Sequence, residues 1–193
     1  MKKEVVTAIL LLALGAPATV AIASAQAKSD QQPTFAAVYD HLLSGVEKEV
    51  VSAAEAMPDD KFNFAPATTQ GEFKGVRTFA EQVKHIAGGN YMFAAAILGE
   101  KPPAEAGGEN GPSNLNSKAD IVKHLNDSFA YLHKALNSID EKNVLEKVQS
   151  PFGANKVTRL SLATIAISHP FDHYGQMVVY LRMNGIVPPA SRK

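Results

Sequence analysis

Six histidines and no cysteine bound the chemistry open to this 193-residue chain. Without a thiol there is no thiolate metal site, no nucleophilic Cys, no disulfide and no lipid anchor on an N-terminal Cys. His169 and His173 stand four residues apart. On a helix that places them ~6 Å apart along the axis and ~40° apart around it. Two imidazoles so placed can aim at one common atom, as in helix-borne zinc sites. His85 is the third candidate. It shares a helical stripe with Gln82, Gly89, Met92 and Ala96, and the small residues Gly88 and Gly89 leave room above it for side chains from a facing helix. Three ring nitrogens roughly 3–3.5 Å apart would suit one metal with bonds of ~2 Å. The plain alternative for His85 is a core-edge imidazole bonded to a carbonyl.

The other histidines fit the site less well. His124 and His133 fall roughly 80–100° off the apolar stripe of their helix, counting 100° per residue, and read as solvated surface groups. His41, off its own core stripe beside Gly45 and Ser52, is an intermediate candidate for an extra ligand or an outer hydrogen-bond donor. Glu81, one turn before His85, is the best-placed carboxylate for proton transfer, and equally the acid of a capping box with Thr78. Asp172 is the weaker candidate, because its neighbour in sequence, His173, points ~100° away on a regular helix.

Four helices must position these groups. Phe35, Val38, Leu42, Val46, Val50, Ala53 and Met57 recur at three- and four-residue steps and predict the first, stopped by Pro58-Asp59-Asp60. Thr78 opens the second, which carries Phe79, Val83, Ile86, Phe93 and Ile97 and ends at Gly99. Ser117 opens the third, with Ile121, Leu125, Phe129, Leu132 and Leu136 inward. The fourth runs from about Ser161 to Asn184, with Gly185 and Pro188-Pro189 as its stop. It carries Ile165, His169, His173, Gln176 and Tyr180 on one side and Ile167, Phe171, Val178 and Leu181 on the other, so both sides are expected to be covered. Pro170 falls between its histidines and should kink it. Long irregular connections follow helices one, two and three, and Val148 and Val157 are placed to flank a short hairpin around Pro151-Phe152-Gly153. The expected fold is all-α, a four-helix bundle.

Lys2 and Lys3, the apolar run Val5 to Leu14 and the Ala-rich stretch to Ala27 have the pattern of a secretory signal peptide. Ala23-Ser24-Ala25 predicts cleavage before Gln26, and Ala25-Gln26-Ala27 before Lys28. The run is well short of the ~20 residues that span a bilayer. The expected organisation is a signal peptide over 1–25, a polar leader over 26–33 and one domain over 34–190, released outside the cytoplasm as a periplasmic or secreted protein with no membrane attachment. Nineteen basic and nineteen acidic side chains balance, which argues against an electrostatic nucleic-acid binder. The glycines at 107, 108 and 111 lack the Lys-Ser/Thr of a phosphate loop, and no Ser sits in a nucleophile elbow.

Met57-Pro58-Asp59-Asp60-Lys61-Phe62-Asn63-Phe64-Ala65-Pro66 resembles the loop after the first helix in the DinB/YfiT-like superfamily. Arg77 to Ile86 is similar to its second helix with the first metal His. His169-Pro170-Phe171-Asp172-His173-Tyr174-Gly175-Gln176-Met177 is similar to its HxxxH helix, and Tyr180 to Pro189 to family endings. The likeness extends from about Pro33 to Ala190. It implies a four-helix bundle whose triad His85, His169 and His173 binds a divalent metal, commonly zinc or nickel, beside a pocket, with homodimers frequent. It also implies thiol-dependent transferase or isomerase chemistry among characterised members. Pro170 within the His pair departs from that pattern, and export away from the reducing cytoplasmic thiol pool weighs against a thiol transferase. The expectation is a metal-dependent protein with hydrolytic or group-transfer chemistry on an unidentified small molecule. The alternatives are a non-catalytic module binding a small molecule or metal in the cell envelope, and a structural scaffold whose histidines only pack.

Overall fold

The structure is a computed structural model that describes residues 32–67 and 72–193. The expected signal peptide over 1–25, and the leader up to residue 31, lie outside the described residues. Four helices make up the domain: α1 Phe35–Ala56, α2 Phe79–Leu98, α3 Lys118–Leu136 and α4 Arg159–Met183, with a hairpin of β1 Lys147–Gln149 and β2 Lys156–Thr158 before α4. Among the described residues no helix is long and apolar enough to cross a membrane.

Each helix starts at a hydroxyl that accepts from a backbone amide three residues on: Thr34 from Ala37, Thr78 from Glu81, Ser117 from Asp120 and Thr158 from Ser161. These contacts satisfy amides that a helix leaves unpaired at its first turn. Glu81 completes a reciprocal box, its carboxylate accepting from the Thr78 amide at 2.7 Å. The α2 start is held from outside as well. The Phe79 and Ala80 amides donate to the Phe64 and Phe62 carbonyls, and the Tyr180 hydroxyl of α4 donates to the Arg77 carbonyl at 3.0 Å.

The principal packed pairs are α2 with α3, α2 with α4, α1 with α4 and α1 with α3, which closes a four-membered ring around the core. Consecutive helices α1 and α2 therefore sit across a diagonal, as do α3 and α4, and their connections must cross an end of the bundle. The crossing after α3 carries the hairpin, with Val148 paired to Val157 as the sequence suggests. The connection 99–117 joins neighbours and needs no such length. It doubles back along α2 instead: a Cβ at Gly88 would lie 2.3 Å from the Gly108 carbonyl oxygen, and one at Gly111 2.9 Å from the Lys84 oxygen.

The core combines Val46, Val50 and Met57 of the α1 end, Phe79, Ile86 and Phe93 of α2, Leu125, Phe129 and Leu132 of α3, and Leu162, Met177 and Leu181 of α4. Two expectations hold only in part. Val46, Val50, Ala53 and Met57 of the expected α1 stripe are buried, but Phe35, Val38 and Leu42 stay 39–48% exposed, because the first half of α1 turns Leu43 inward instead of Leu42. On the second apolar side of α4 Leu181 is buried and Ile167 packs against the core, while Phe171 keeps 45% of its surface exposed; Ile165, on the histidine side, keeps 42%. α4 itself runs through Pro170 as one continuous helix, with Pro170 buried.

Candidate metal centre

The α2–α4 contact brings the predicted histidines together. His85, His169 and His173 each present a ring nitrogen, and these nitrogens all lie within 4.8 Å of one another. The rings meet edge to face, with centroids 4.6–5.0 Å apart. His85 Nε2 and His169 Nε2 are 3.1 Å apart, inside the spacing expected of two ligands to one ion. Two bare lone pairs at that distance repel, so either a proton or a cation must lie between them.

Room for this approach comes from glycine. A Cβ on Gly89 would stand 2.6 Å from His169 Cε1, so His169 rests directly on the α2 backbone. Phe93 closes its far side, ring centroids 5.5 Å apart. His169 Nδ1 is buried without a hydrogen-bond partner.

The other two rings are oriented from behind. His85 Nδ1 lies 2.8 Å from the Glu109 carbonyl oxygen. A carbonyl can only accept, so Nδ1 carries the proton and Nε2 keeps its lone pair. His173 Nδ1 is 2.7 Å from Gln82 Oε1, which leaves its Nε2 free in the same way. Holding the outer nitrogen fixes tautomer and ring direction at metal sites.

Burial dominates the electrostatics. It pulls His169 down to about 3, helped by the two neighbouring imidazoles and the Arg77 guanidinium, and His173 down to about 4. Burial lowers His85 as well, against the opposing pull of its Glu109 carbonyl bond. All three rings are therefore neutral at pH 7, the form that ligates a metal. Three convergent imidazole nitrogens, two held by outer acceptors and one seated on a glycine, could hold a metal ion.

A cleft of ≈ 740 Å³ adjoins the centre, lined among others by Arg77, Glu81, Gln82, Lys84, Asn110 and Gln176. Gln82 and Gln176 form its boundary with the triad, the Gln82 amide donating to Gln176 Oε1 at 2.8 Å. Arg77 donates to Asn110 Oδ1 at 3.1 Å and lies 3.6 Å from the Glu109 carboxylate, which ties the returning connection to the mouth of α2. Glu81 reaches this cleft while its carboxylate is engaged by the Thr78 amide.

The remaining histidines lie elsewhere. His41 is exposed on α1, outside the triad. His124 and His133 are not the solvated groups their angular position suggests. His124 is 7% exposed under the Tyr91 ring, and its Nε2 has no partner. His133 bridges Asp40 at 2.7 Å and Glu47 at 3.0 Å on α1. The sides of α3 flanking its apolar stripe are thus partly covered. The roles of the Glu109 carbonyl and of the Gln82–Gln176 pair emerge only from the fold. The glutamines do share the helical stripes of the ligands, one turn from His85 and His173 respectively, whereas a backbone acceptor leaves no side-chain signal.

Two solved structures share this fold. A DinB-like protein from Bacillus cereus aligns with a TM-score of 0.59 at 17% identity, over 75% of this chain and 89% of that one. A DinB-like protein from Bacillus subtilis aligns with a TM-score of 0.55 at 22% identity, over 75% of this chain and 92% of that one. No curated protein matches the chain. The family model of the DinB superfamily matches residues 42–177, a span that begins on α1 and includes all three triad histidines; the chain belongs to that superfamily.

Proposed function

We propose that the protein binds one divalent metal ion, zinc or nickel, through His85, His169 and His173, and acts with it on a small molecule that enters by the Arg77–Gln176 cleft. The observation that carries this reading is the convergence of three neutral ring nitrogens within 4.8 Å. Three protein ligands leave a coordination position for water or substrate, where a bound ion supplies Lewis acidity for hydrolysis or group transfer. The chain's own residues supply the rest. Gln82 and the Glu109 carbonyl hold two ligands in direction. Phe93 packs against His169, and Arg77 and Lys84 put positive charge on the cleft.

Elemental analysis of the purified protein tests the proposal. One equivalent of metal in the wild type and its loss in His169→Ala are expected; a metal-free wild type, or an unchanged metal content in the variant, would end it.

A non-catalytic binding module is favoured by one feature. Glu81, the carboxylate best placed for proton transfer, is engaged in its capping box. Turnover by the metal-loaded protein on ester, amide or thiol substrates separates the two readings. Export to the periplasm or beyond belongs to the same proposal, and a mature N-terminus at Gln26 or Lys28, read by mass spectrometry, would support it.

A further inference from the structure

Resting on the metal reading above, we infer that Asp172 is a positioning residue for the centre: through Gln176 and Gln82 it sets which nitrogen of His173 carries the proton, and so which one faces the metal.

Gln176 Nε2 lies 3.4 Å from Asp172 Oδ2, one helical turn back on α4. A carboxylate only accepts, so the amide nitrogen of Gln176 must face it and the Gln176 oxygen must face inward. That oxygen takes the Gln82 amide at 2.8 Å, which turns Gln82 Oε1 toward His173 Nδ1 at 2.7 Å. Each contact fixes the polarity of the next. The final acceptor leaves His173 protonated on Nδ1 and bare on Nε2. Gln176 Nε2 also comes within 3.5 Å of His173 Nδ1. If that longer contact governed, the ring would accept there, Nε2 would carry the proton, and His173 could not ligate through it. The much shorter Gln82 contact selects the first arrangement. Asp172 is exposed and His173 buried, so an exposed carboxylate acts on a buried ligand without touching it. Gln82 and Gln176 also line the cleft, where a bound small molecule would meet the relay directly.

The test reads the tautomer itself. The full chain, labelled with ¹⁵N-histidine and stripped by chelator, is examined by long-range proton–nitrogen NMR, and Zn²⁺ affinity is measured by competition with a chromogenic chelator. In the wild type His173 is expected as Nδ1–H. Asp172→Lys places a donor where the relay needs an acceptor, and should shift His173 toward Nε2–H and weaken Zn²⁺ binding by about tenfold, the lower end of losses seen for outer partners of metal ligands. Asp172→Asn can still accept through Oδ1 and should keep the wild-type tautomer. Helical circular dichroism of each variant checks folding, and the wild-type tautomer tests the inference even if Asp172→Lys does not fold. A wild-type His173 protonated on Nε2, or an Asp172→Lys protein with unaltered tautomer and affinity, overturns the inference. No Zn²⁺ binding by the wild type, with the tautomer shift still seen in Asp172→Lys, refutes the metal reading and leaves the relay standing.

Discussion

Replacing Gly89 with alanine separates ligand geometry from fold stability. The added Cβ would stand 2.6 Å from His169 Cε1, 3.0 Å from Nδ1 and 3.4 Å from Nε2. Unbonded carbons settle at about 3.5–4.0 Å, so the ring must retreat by about 1 Å. The Phe93 ring and the other two imidazoles confine that movement, with centroids 4.7–5.5 Å from that of His169. Metal–ligand distances tolerate about 0.2 Å, so His169 leaves the coordination sphere. Losing an outer partner of a ligand costs about 10–100-fold in affinity, and losing the ligand should exceed about 100-fold. The fold should survive. Alanine favours a helix interior over glycine by about 0.5–1 kcal/mol, against an overpacking cost of about 1–3 kcal/mol. The assay is a zinc competition titration beside thermal unfolding in chelator. Gly45→Ala serves as the control, since its Cβ meets nothing within 4 Å, and it should leave zinc affinity unchanged. Zinc binding by Gly89→Ala within about threefold of wild type would refute the reasoning.

Zinc at about 100 times its Kd should stabilise the folded protein by about 2.7 kcal/mol; differential scanning calorimetry with and without chelator reads the shift, which His169→Ala should abolish. The metal-free fold should weaken as pH drops. His169 and His173 titrate near 3 and 4 in the fold against 6.5 unfolded, so the unfolded chain gains protons first and stability falls from about pH 6.5 downward, as urea midpoints across pH would record. His133 has the opposite sign. Burial lowers it, but Asp40 and Glu47 outweigh burial and raise it, so its stabilisation is full below pH 6.5 and fades as pH rises through the raised value. The stability gap between wild type and His133→Ala should accordingly be wider at pH 5.5 than at pH 8.5. Glutamine also serves in a capping box, so Glu81→Gln should melt within about 0.5 kcal/mol of wild type, while Glu81→Ala should lose about 1 kcal/mol; a loss of turnover in the glutamine variant at unchanged stability would assign Glu81 to proton transfer.

Periodicity and punctuation carried most of the fold. Thr78, Ser117 and Gly99 mark helix ends because they act within one turn of themselves, through bonds the sequence spells out. The triad was legible for a related reason: His169 and His173 are one turn apart, and Gly89 signals a close approach beside His85. What escaped depends on partners distant in the chain. His133 lies off the α3 stripe, yet α1 brings two carboxylates to it, a pairing that no local pattern contains. His124 is covered by Tyr91 of another helix. Phe35 and Leu42 fit an apolar period but lie off the face of α1 that buries Leu43. Local regularity reports which side of a helix is apolar, whereas the neighbour that meets it is set by the order of helices around the ring.

The acceptor behind His85 is a main-chain oxygen, and the segment that brings it is seated by the absence of side chains at Gly88 and Gly111. This divides tolerance to mutation in an unusual way. Position 109 touches a metal-ligand candidate yet can exchange its side chain freely as far as that contact is concerned. Positions 88 and 111 touch no ligand, but there even a methyl group would lift the returning segment and deprive His85 of its anchor. A saturation library scored for metal retention should therefore be permissive at 109 and intolerant at 88 and 111, and a search for the centre's determinants confined to chemically active side chains would overlook both glycines.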